Sequence, residues 1–588
     1  MEPELKEEQG VRLAVEGCGH GTLHAIFASV AESCKHKGWP GVDLLIIGGD
    51  FQSVRNAYDL NCVSMPAKYR AMCDFHEYYS GQRTAPYLTI FVGGNHEASN
   101  YLFELYYGGW VAPNIYYMGA ANVLRLGPIR IAGVSGIWKG YNYRKPHHER
   151  LPYNESDIKS TYHIRELDVR KMLQIQTQVD IGISHDWPKG IEWKGDWKRL
   201  FRFKKHLEDD ARDGQLGSVA AKDILGYVRP RYWFSAHLHC KYAAVVSHGE
   251  DKAPQKTLPD ASRFGHDANE LDMDGVYDTA NGFLHSVKNE DEIYLDMEAN
   301  PNTAAPEVAP VPNADEIDLE LEDDANDLAP VAPGQGLDNI AVPVNPVAID
   351  GPTLTADEAK AALPEAFTKR PLPVQNSVEP PPGITNRVTN FLALDKCLPD
   401  KHFLQLSLVP TAEETEPMRP LKLNYDREWL AISRAFSLIE PPVFGDPDAK
   451  VLPARSQAEY RHLVEEQRRW VDENIAEKAL VIPENFEVTA PIYDGGNWNL
   501  PQYGTVEEFP NPQTAHFCDM LQMPNALEID DEERATRLAA GPRPDPDAER
   551  FAASKRGRGG FGHGRGRGDR GRGRGGRGRG SRGRFTAR

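Results

Sequence analysis

The chain is predicted to contain an α/β domain with polar residues gathered at one edge of its sheets. Over residues 11–248, short apolar runs suited to buried strands alternate with stretches suited to helices. Five of these runs are followed at once by His, Asp, Asn or Cys. Because strands of open α/β sheets place ligand sites at their carboxyl ends, the five ends predict one assembled site.

The predicted elements follow in order along this region. The five strands that precede polar residues are Val11–Val15, Leu44–Ile47, Leu88–Val92, Ile181–Ile183 and Tyr232–Phe234. Helices are expected over Thr22–Lys35 and Pro66–Tyr79. Further strands are expected at Val123–Leu126, Ile129–Val134 and Tyr242–Ser247, the first two joined as a hairpin around Gly127 and Pro128.

The composition changes after residue 248. Residues 249–385 are rich in Pro, Ala and acids, with eight acids between Asp315 and Asp327, and we expect a disordered acidic insertion. Order is expected again over 386–540, with a strand at Phe391–Lys396 and helices at Tyr425–Ile439 and Gln457–Ile475. Residues 541–588 are expected to form a disordered tail rich in Arg and Gly.

The C-terminal tail and the rest of the chain carry net charges of opposite sign. Residues 555–588 hold one Lys and twelve Arg against one acid, a net charge of +12, so the chain total of −19 leaves −31 elsewhere. A basic tail on an acidic body predicts a polyanionic partner such as RNA. A role in binding proteins or forming condensates is an open alternative.

The cysteines and the first residues of the chain predict where in the cell the protein is located. The seven cysteines include no Cys-x-x-Cys pair, and no apolar run reaches the roughly 18 residues of a membrane span. The first residues lack the basic and apolar regions of a signal peptide. We therefore expect an intracellular protein, located in the nucleus with shuttling to the cytoplasm allowed.

Seven side chains at the strand ends are candidate metal ligands. They are Cys18, His20, Asp50, Asn95, His185, His237 and His239. Asp50 can bridge two cations with its two oxygens, and neutral imidazoles suit Zn, Fe or Mn better than Mg or Ca. The set predicts two adjacent divalent metals that share Asp50, an arrangement suited to phosphoester hydrolysis.

His96 follows Asn95 directly and is a candidate proton donor that need not bind metal. A single His or Gly-Asp pair is usually a surface residue or a turn. The joint occurrence of these residues in this order makes that interpretation improbable.

The ordered motifs resemble those of calcineurin-like metallophosphoesterases. They read Cys18-Gly-His20, Gly49-Asp50, Gly94-Asn-His-Glu97, His185 and Ala236-His-Leu-His239. Cys18 replaces the first Asp of that pattern, and Ala236 replaces a Gly. The cysteine resembles one subfamily, the RNA lariat debranching enzymes, as do the strings Gly49–Asn56, Gly93–Asn100, Gly108–Asn114, Ser184–Pro188 and Trp233–His239. The resemblance resumes at Thr389–Pro399 and Tyr425–Ile432.

The resemblance implies a β-sandwich flanked by helices over 1–248, with residues 386–540 as a C-terminal accessory region. It implies one metal at Cys18, His20, Asp50 and His239, and another at Asp50, Asn95, His185 and His237. Sulfur in the first group favours Fe(II), Zn(II) or Mn(II) over Mg(II). The alternative for Cys18 is a small buried hydrophobic residue beside the metal site that binds no metal.

The implied activity is hydrolysis of the 2′-5′ phosphodiester branch of intron lariat RNA, with splicing-related proteins as further partners of the C-terminal region. The sequence leaves two alternative functions open. One is a general metallophosphodiesterase, and the other is an inactive RNA-binding scaffold.

A basic, aromatic segment within 135–165 is a candidate RNA contact, and the resemblance implies that it is the family's lariat-recognition loop. Its candidate RNA-binding residues are Lys139, Tyr143, Arg144 and Lys145, and Arg55, Lys68 and Arg70 are candidates for a facing wall. A solvated loop or helix surface is the alternative for both sets.

Overall fold

The computed structural model describes residues 10–249, 379–411, 418–495 and 506–545. Nearly all of the predicted acidic insertion, and the tail after residue 545, lie outside these residues.

Thirteen strands form two sheets in the described part of the chain. They are β1 Gly10–Glu16, β2 Leu44–Ile47, β3 Thr89–Phe91, β4 Gly109–Ala112, β5 Ile115–Tyr117, β6 Ala121–Leu126, β7 Ile129–Val134, β8 Ile181–Ser184, β9 Tyr232–Ser235, β10 Tyr242–Ser247, β11 Val388–Ala393, β12 Leu404–Pro410 and β13 Leu423–Tyr425. The first sheet has the order β12-β1-β2-β3-β5-β4, and the second has the order β10-β11-β9-β8-β7-β6-β13.

Helices cover the sheets and link them. They are α1 Leu23–Lys37, α2 Phe75–Tyr79, α3 Ser99–Glu104, α4 Gly140–Tyr143, α5 Glu155–Ser160, α6 Glu166–Met172, α7 Trp197–Phe203, α8 His206–Arg212, α9 Val219–Val228, α10 Arg427–Ile439, α11 Gln457–Asn474, α12 Pro512–Met520 and α13 Asp531–Ala540. Short 3₁₀ helices lie at Asp59–Cys62, Ala67–Tyr69, Ile191–Lys194 and Glu477–Leu480.

The main core lies between the two sheets. Leu13 of β1 and Ile46 of β2 share one buried cluster with Ile131 of β7 and Ile183 of β8. A second cluster packs α1 on the outer face of the first sheet, and a third packs α9 and α10 on the second sheet. Burial of apolar side chains on both faces of each sheet produces a β-sandwich flanked by helices, which confirms the predicted fold class.

The C-terminal region contributes strands to both sheets. β11 lies between β10 and β9, β12 pairs with β1, and β13 pairs with β6. The accessory region therefore completes the sandwich as well as packing against it. The predicted domain boundaries stay predictions.

The helix predicted over Pro66–Tyr79 is wrong in extent. The segment contains one 3₁₀ turn and the short α2, with Cys73 between them at a φ of 49°. A left-handed residue cannot continue an α-helix. Asp74 serves α1 instead, because its carboxylate accepts hydrogen bonds from the backbone of Leu23 and His24.

Candidate metal centre

Turns after five strands bring the seven predicted ligands to one end of the sandwich. Cys18 and His20 follow β1, Asp50 follows β2, and Asn95 follows β3. In the second sheet His185 follows β8, and His237 and His239 follow β9. Four of them, His20, Asp50, His237 and His239, have φ between 41° and 63°. Such backbone is costly for residues with a Cβ and is typical of functional sites held by their surroundings.

The first ligand group consists of Cys18, His20, Asp50 and His239, whose donor atoms all lie within 4.8 Å of one another. The Nε2 atoms of His20 and His239 are 3.1 Å apart. The backbone N–H of His237 donates to Cys18 Sγ at 3.2 Å. One sulfur, two imidazoles and a carboxylate at this spacing fit a transition-metal ion.

The second group shares Asp50 with the first. His185 Nε2 lies 3.4 Å from Asp50 Oδ1 and 3.3 Å from the Asn95 side-chain oxygen. The rings of His185 and His237 have centroids 5.0 Å apart. On the other side, Asp50 Oδ2 lies 3.8 Å from His20 Nε2. The two oxygens of Asp50 therefore face the two ligand groups, which suits a bridging carboxylate.

The charges of the centre suit cations. Burial raises the pKa of the Cys18 thiol, and the negative charge of Asp50 raises it further. Burial also acts to raise the pKa of Asp50, but the neighbouring His185 and His96 hold that pKa well below its usual range. A buried carboxylate beside a cysteine ligand is stabilised by positive charge, because desolvation penalises unpaired anions.

Hydrogen bonds behind the ligands orient them. His185 Nδ1–H donates to the carbonyl of Gly48 at 3.0 Å, which leaves Nε2 free to bind metal. The side-chain amide of Gln52 lies 3.2 Å from His20 Nδ1. These contacts set which ring nitrogen of each histidine faces the centre.

Glu97 holds two ligand turns together, a role that was not predicted from the sequence. Its buried carboxylate accepts backbone hydrogen bonds from Phe51, Gln52 and Gly94 at 2.8 to 3.0 Å. Phe51 and Gln52 follow Asp50, and Gly94 precedes Asn95. The signal in the sequence was an acid directly after the Gly-Asn-His motif.

His96 lies beside both ligand groups. Its backbone N–H donates to Asp50 Oδ1 at 2.8 Å, and its Nδ1–H donates to the carbonyl of Ser64 at 3.0 Å. Its ring centroid is 5.9 Å from that of His20. With Nδ1 engaged by Ser64, Nε2 is the ring nitrogen left to serve a substrate.

The predicted recognition loop begins next to His185. The backbone N–H of Trp138 donates to Asp186 at 3.1 Å, and Tyr143 packs against the Trp138 ring with centroids 4.7 Å apart. Arg144 and Lys145 are exposed, and Lys139 is half-buried. The start of the loop therefore lies beside the centre, whereas Tyr143 is partly taken up by core packing and Arg144 lies 3.9 Å from Glu166.

Lys68 and Arg70, two of the residues predicted to face the recognition loop, lie in the segment that holds the His96 ring through Ser64. Lys68 is exposed, and Arg70 is half-buried with its Nε donating to the carbonyl of Met65. Ser64, which binds the His96 ring, has its hydroxyl 3.2 Å from the Tyr162 hydroxyl. This contact joins the wall to the recognition loop.

The prediction that Arg55 contacts RNA is wrong. Its side chain is 0% exposed and forms ion pairs at 2.9 Å with Asp59 and Glu104. The guanidinium also lies 4.0 Å from the centre of the Tyr101 ring. A cation so enclosed and paired cannot reach RNA, and it stabilises the loop after Asp50 from within.

The fold and centre define a metallophosphoesterase, and two sequence families match the chain. Residues 11–241 match the calcineurin-like phosphoesterases, and residues 386–526 match the C-terminal domain of lariat debranching enzymes.

Relatives cover most of the chain. It is 36% identical to a lariat debranching enzyme of Schizosaccharomyces pombe, over 86% of this chain and 95% of the relative. It is 33% identical to that of Arabidopsis thaliana, over 88% of each. Identity to that of Homo sapiens is 34%, over 87% of this chain and 69% of the relative. The chain belongs to the lariat debranching enzyme family.

None of the helices in the described ranges is long and apolar enough to cross a membrane.

Proposed function

We propose that the protein hydrolyses the 2′-5′ phosphodiester at the branch of excised intron lariats. The products are linear RNA with a free 2′-hydroxyl and a 5′-phosphate. The observation that carries the proposal is the pair of ligand groups that share Asp50, one of them with Cys18. The match to lariat debranching enzymes across both parts of the chain supports the choice of substrate.

The ligand residues fit two divalent metals, at Cys18, His20, Asp50 and His239 and at Asp50, Asn95, His185 and His237. When bound, such metals neutralise phosphate oxygens and lower the pKa of an attacking water towards neutrality. The sulfur of Cys18 and the imidazoles favour Fe(II), Zn(II) or Mn(II) over Mg(II), because softer ligands suit softer metals.

His96 supplies a proton at Nε2 to the leaving 2′-oxygen. A ribose alkoxide is a poor leaving group, so its protonation lowers the barrier. The Ser64 carbonyl holds the ring through Nδ1, and the Asp50 carboxylate holds the backbone of His96. Both contacts fix the direction in which Nε2 points.

RNA is held on two sides of the centre in this proposal. Lys139, Arg144 and Lys145 contact phosphates, Tyr143 presents part of its ring to a base, and Lys68 and Arg70 line the opposite wall. The Arg-Gly tail adds affinity with little sequence preference. The nucleus, where introns are removed, is the proposed location, with splicing-related proteins bound by the C-terminal region. Microscopy of the tagged full-length chain tests the location.

The test compares a synthetic branched RNA with one 2′-5′ linkage and its linear 3′-5′ counterpart. Metal-free protein is incubated with each RNA while Fe(II), Zn(II), Mn(II) and Mg(II) are titrated separately. Cleavage at the branch alone, restored by the softer metals, is expected. Equal cleavage of both RNAs would establish a general phosphodiesterase, and tight binding without cleavage would establish an inactive scaffold.

A further inference from the structure

A second basic and aromatic segment, residues 193–205, lies outside the RNA contacts of the proposed function. It holds six Lys or Arg against one acid, in a chain with a net charge of −19. Trp193, Trp197 and Phe203 lie among the cations. A local concentration of positive charge on an acidic protein attracts polyanions to that place.

Helix α7, inside this segment, has an inner and an outer face. Leu200 and Phe201 are buried in the core beside the second sheet. Residues spaced by three or four share a face of a helix, and the outer face carries Lys198, Arg199, Arg202 and Phe203. Phe203 is 73% exposed, so its ring is available to stack with an unpaired base.

The cations of this face are available to a ligand. Within the described ranges, no carboxylate lies within 4.0 Å of the side-chain nitrogens of Lys198, Arg199 or Arg202, and all three side chains are exposed. Lys198 Nζ instead lies 5.6 Å from the centre of the Trp197 ring. Arg55, by contrast, is neutralised by two acids. Unpaired cations beside the exposed ring of Phe203 and the half-buried ring of Trp197 suit single-stranded RNA, which offers phosphates and unstacked bases together.

The segment is anchored next to the first ligand group. Gly195 bridges to Ala244 of β10, and the Tyr242 hydroxyl donates to the carbonyl of Glu192 at 2.5 Å. β10 begins three residues after His239.

The recognition loop lies on the other side of the centre. In the second sheet the order β10-β11-β9-β8-β7 places β9 and β8, which lead to the ligand histidines, between β10 and β7. The loop follows β7, whereas residues 193–205 are attached to β10. A branched RNA has strands that leave the branch in different directions, so binding surfaces on two sides of the centre suit such a substrate.

We infer that residues 193–205 bind a second arm of the branched RNA, through its phosphates and unstacked bases, while the recognition loop holds the branch. This inference rests on the proposed function for the identity of the RNA. The contacts are to phosphates and ring faces, so the segment confers affinity with little sequence preference.

The test uses the full chain with Lys198, Arg199 and Arg202 each changed to Gln. Its matched control changes Lys450, Arg469 and Lys478 to Gln, since these three cations are also exposed but lie in the C-terminal region. Two substrates are compared, a minimal branched RNA of a few nucleotides and a branched RNA with arms of about ten nucleotides. Phe203→Ala is a second variant that removes a ring and no charge.

We expect the α7 variant to bind the long-armed RNA about tenfold more weakly than the control variant does, with turnover of the minimal RNA unchanged within twofold. The slope of log affinity against log salt should fall by about 2, because each lost phosphate contact contributes roughly 0.7 for single strands. Phe203→Ala should weaken binding of the long-armed RNA with the slope unchanged.

Equal affinity of the α7 and control variants for the long-armed RNA would overturn the inference and assign the surface to another partner, such as an acidic protein. Failure of the wild-type chain to cleave the minimal branched RNA would overturn the proposed function instead. Binding of the long-armed RNA is measured without cleavage, so the two failures are distinguishable.

Discussion

Cys18 is the one sulfur among the nitrogen and oxygen atoms of the first ligand group, so under the proposed ligation it should influence which metal supports activity. Changing Cys18 to Asp replaces a soft ligand with a hard one in the same buried position. We expect activity with Mg(II) to rise relative to activity with Zn(II) or Fe(II), because hard cations prefer oxygen. Initial rates on branched RNA, with each metal added to metal-free protein, measure the ratio.

Cys18→Ser provides the control for this exchange, since it removes the sulfur and adds no carboxylate. It should lower activity with every metal. An unchanged order of metals in Cys18→Asp would mean that Cys18 is a buried neighbour of the centre and contributes no ligand.

His96 lies beside both ligand groups and is held by Ser64 and Asp50. His96→Ala should lower turnover by roughly two to four orders of magnitude, the usual contribution of a positioned general acid. Metal content should stay the same, because His96 belongs to neither ligand group. Metal analysis of the purified variant checks this second expectation, and a collapse of metal content would make His96 a ligand.

At the scale of elements, α10 is attached to the second sheet by a buried ion pair. Asp426 caps the helix, and its carboxylate binds Arg130 of β7 at 2.7 Å. Asp426→Asn should lower the free energy of unfolding by about 3 kcal/mol, because it leaves the buried Arg130 charge with one acid fewer. Urea unfolding at pH 7 measures the change.

Asp472→Asn is the matched control. Asp472 is 53% exposed and pairs with Arg427 at 3.3 Å on the surface, so its loss should cost under about 1 kcal/mol. Equal effects of the two substitutions would show that the Asp426 pair adds no more than a surface pair.

The contribution of the Asp426–Arg130 ion pair to the free energy of unfolding should depend on pH. Burial acts to raise the pKa of Asp426, but the charge of Arg130 holds it below its usual value. A carboxyl with a lowered pKa stabilises the folded state above its unfolded pKa of about 4. The difference between wild type and Asp426→Asn should therefore be full at pH 7 and shrink as the pH falls below about 4. A constant difference down to pH 3 would contradict this assignment.

Element boundaries followed local signals where those signals were strong. α10 and α11 begin next to Asp426 and Ser456, whose side chains cap them, and both helices were predicted within two residues. The helix predicted over 66–79 is too long, because Cys73 has left-handed backbone and Asp74 binds a distant helix. Asp74 caps α1, and no local pattern of helix periodicity contains that information.

At the scale of the whole molecule, the last described residues dock on the recognition loop. Arg543 donates to the carbonyl of His148, and Asp545 accepts hydrogen bonds from the backbone and hydroxyl of Ser156.

A chain that ends at residue 540 should have a higher KM for short branched RNA than one that ends at 545, by about three- to tenfold. Both lack the Arg-Gly tail, so the comparison isolates these contacts. Equal KM values would show that the recognition loop keeps its conformation without the contacts of Arg543 and Asp545.

The tail itself is tested by deleting residues 555–588. We expect weaker RNA affinity and a smaller salt dependence, because the deleted residues carry +12. Metal binding and cleavage of a minimal branched RNA should be unchanged. Loss of activity on the minimal RNA would give the tail a part in catalysis.

The fold class, the order of the seven candidate ligands and the candidate proton donor could all be predicted from local patterns, since each depends on a short strand followed by a characteristic turn. Three other features could not be predicted in this way. Arg55 is buried against Asp59 and Glu104, the C-terminal strands complete both sheets, and Arg543 binds the carbonyl of His148. The burial of Arg55 depends on which face of a loop turns inward. The other two features depend on contacts between residues hundreds of positions apart, and local composition and periodicity contain no information on such contacts.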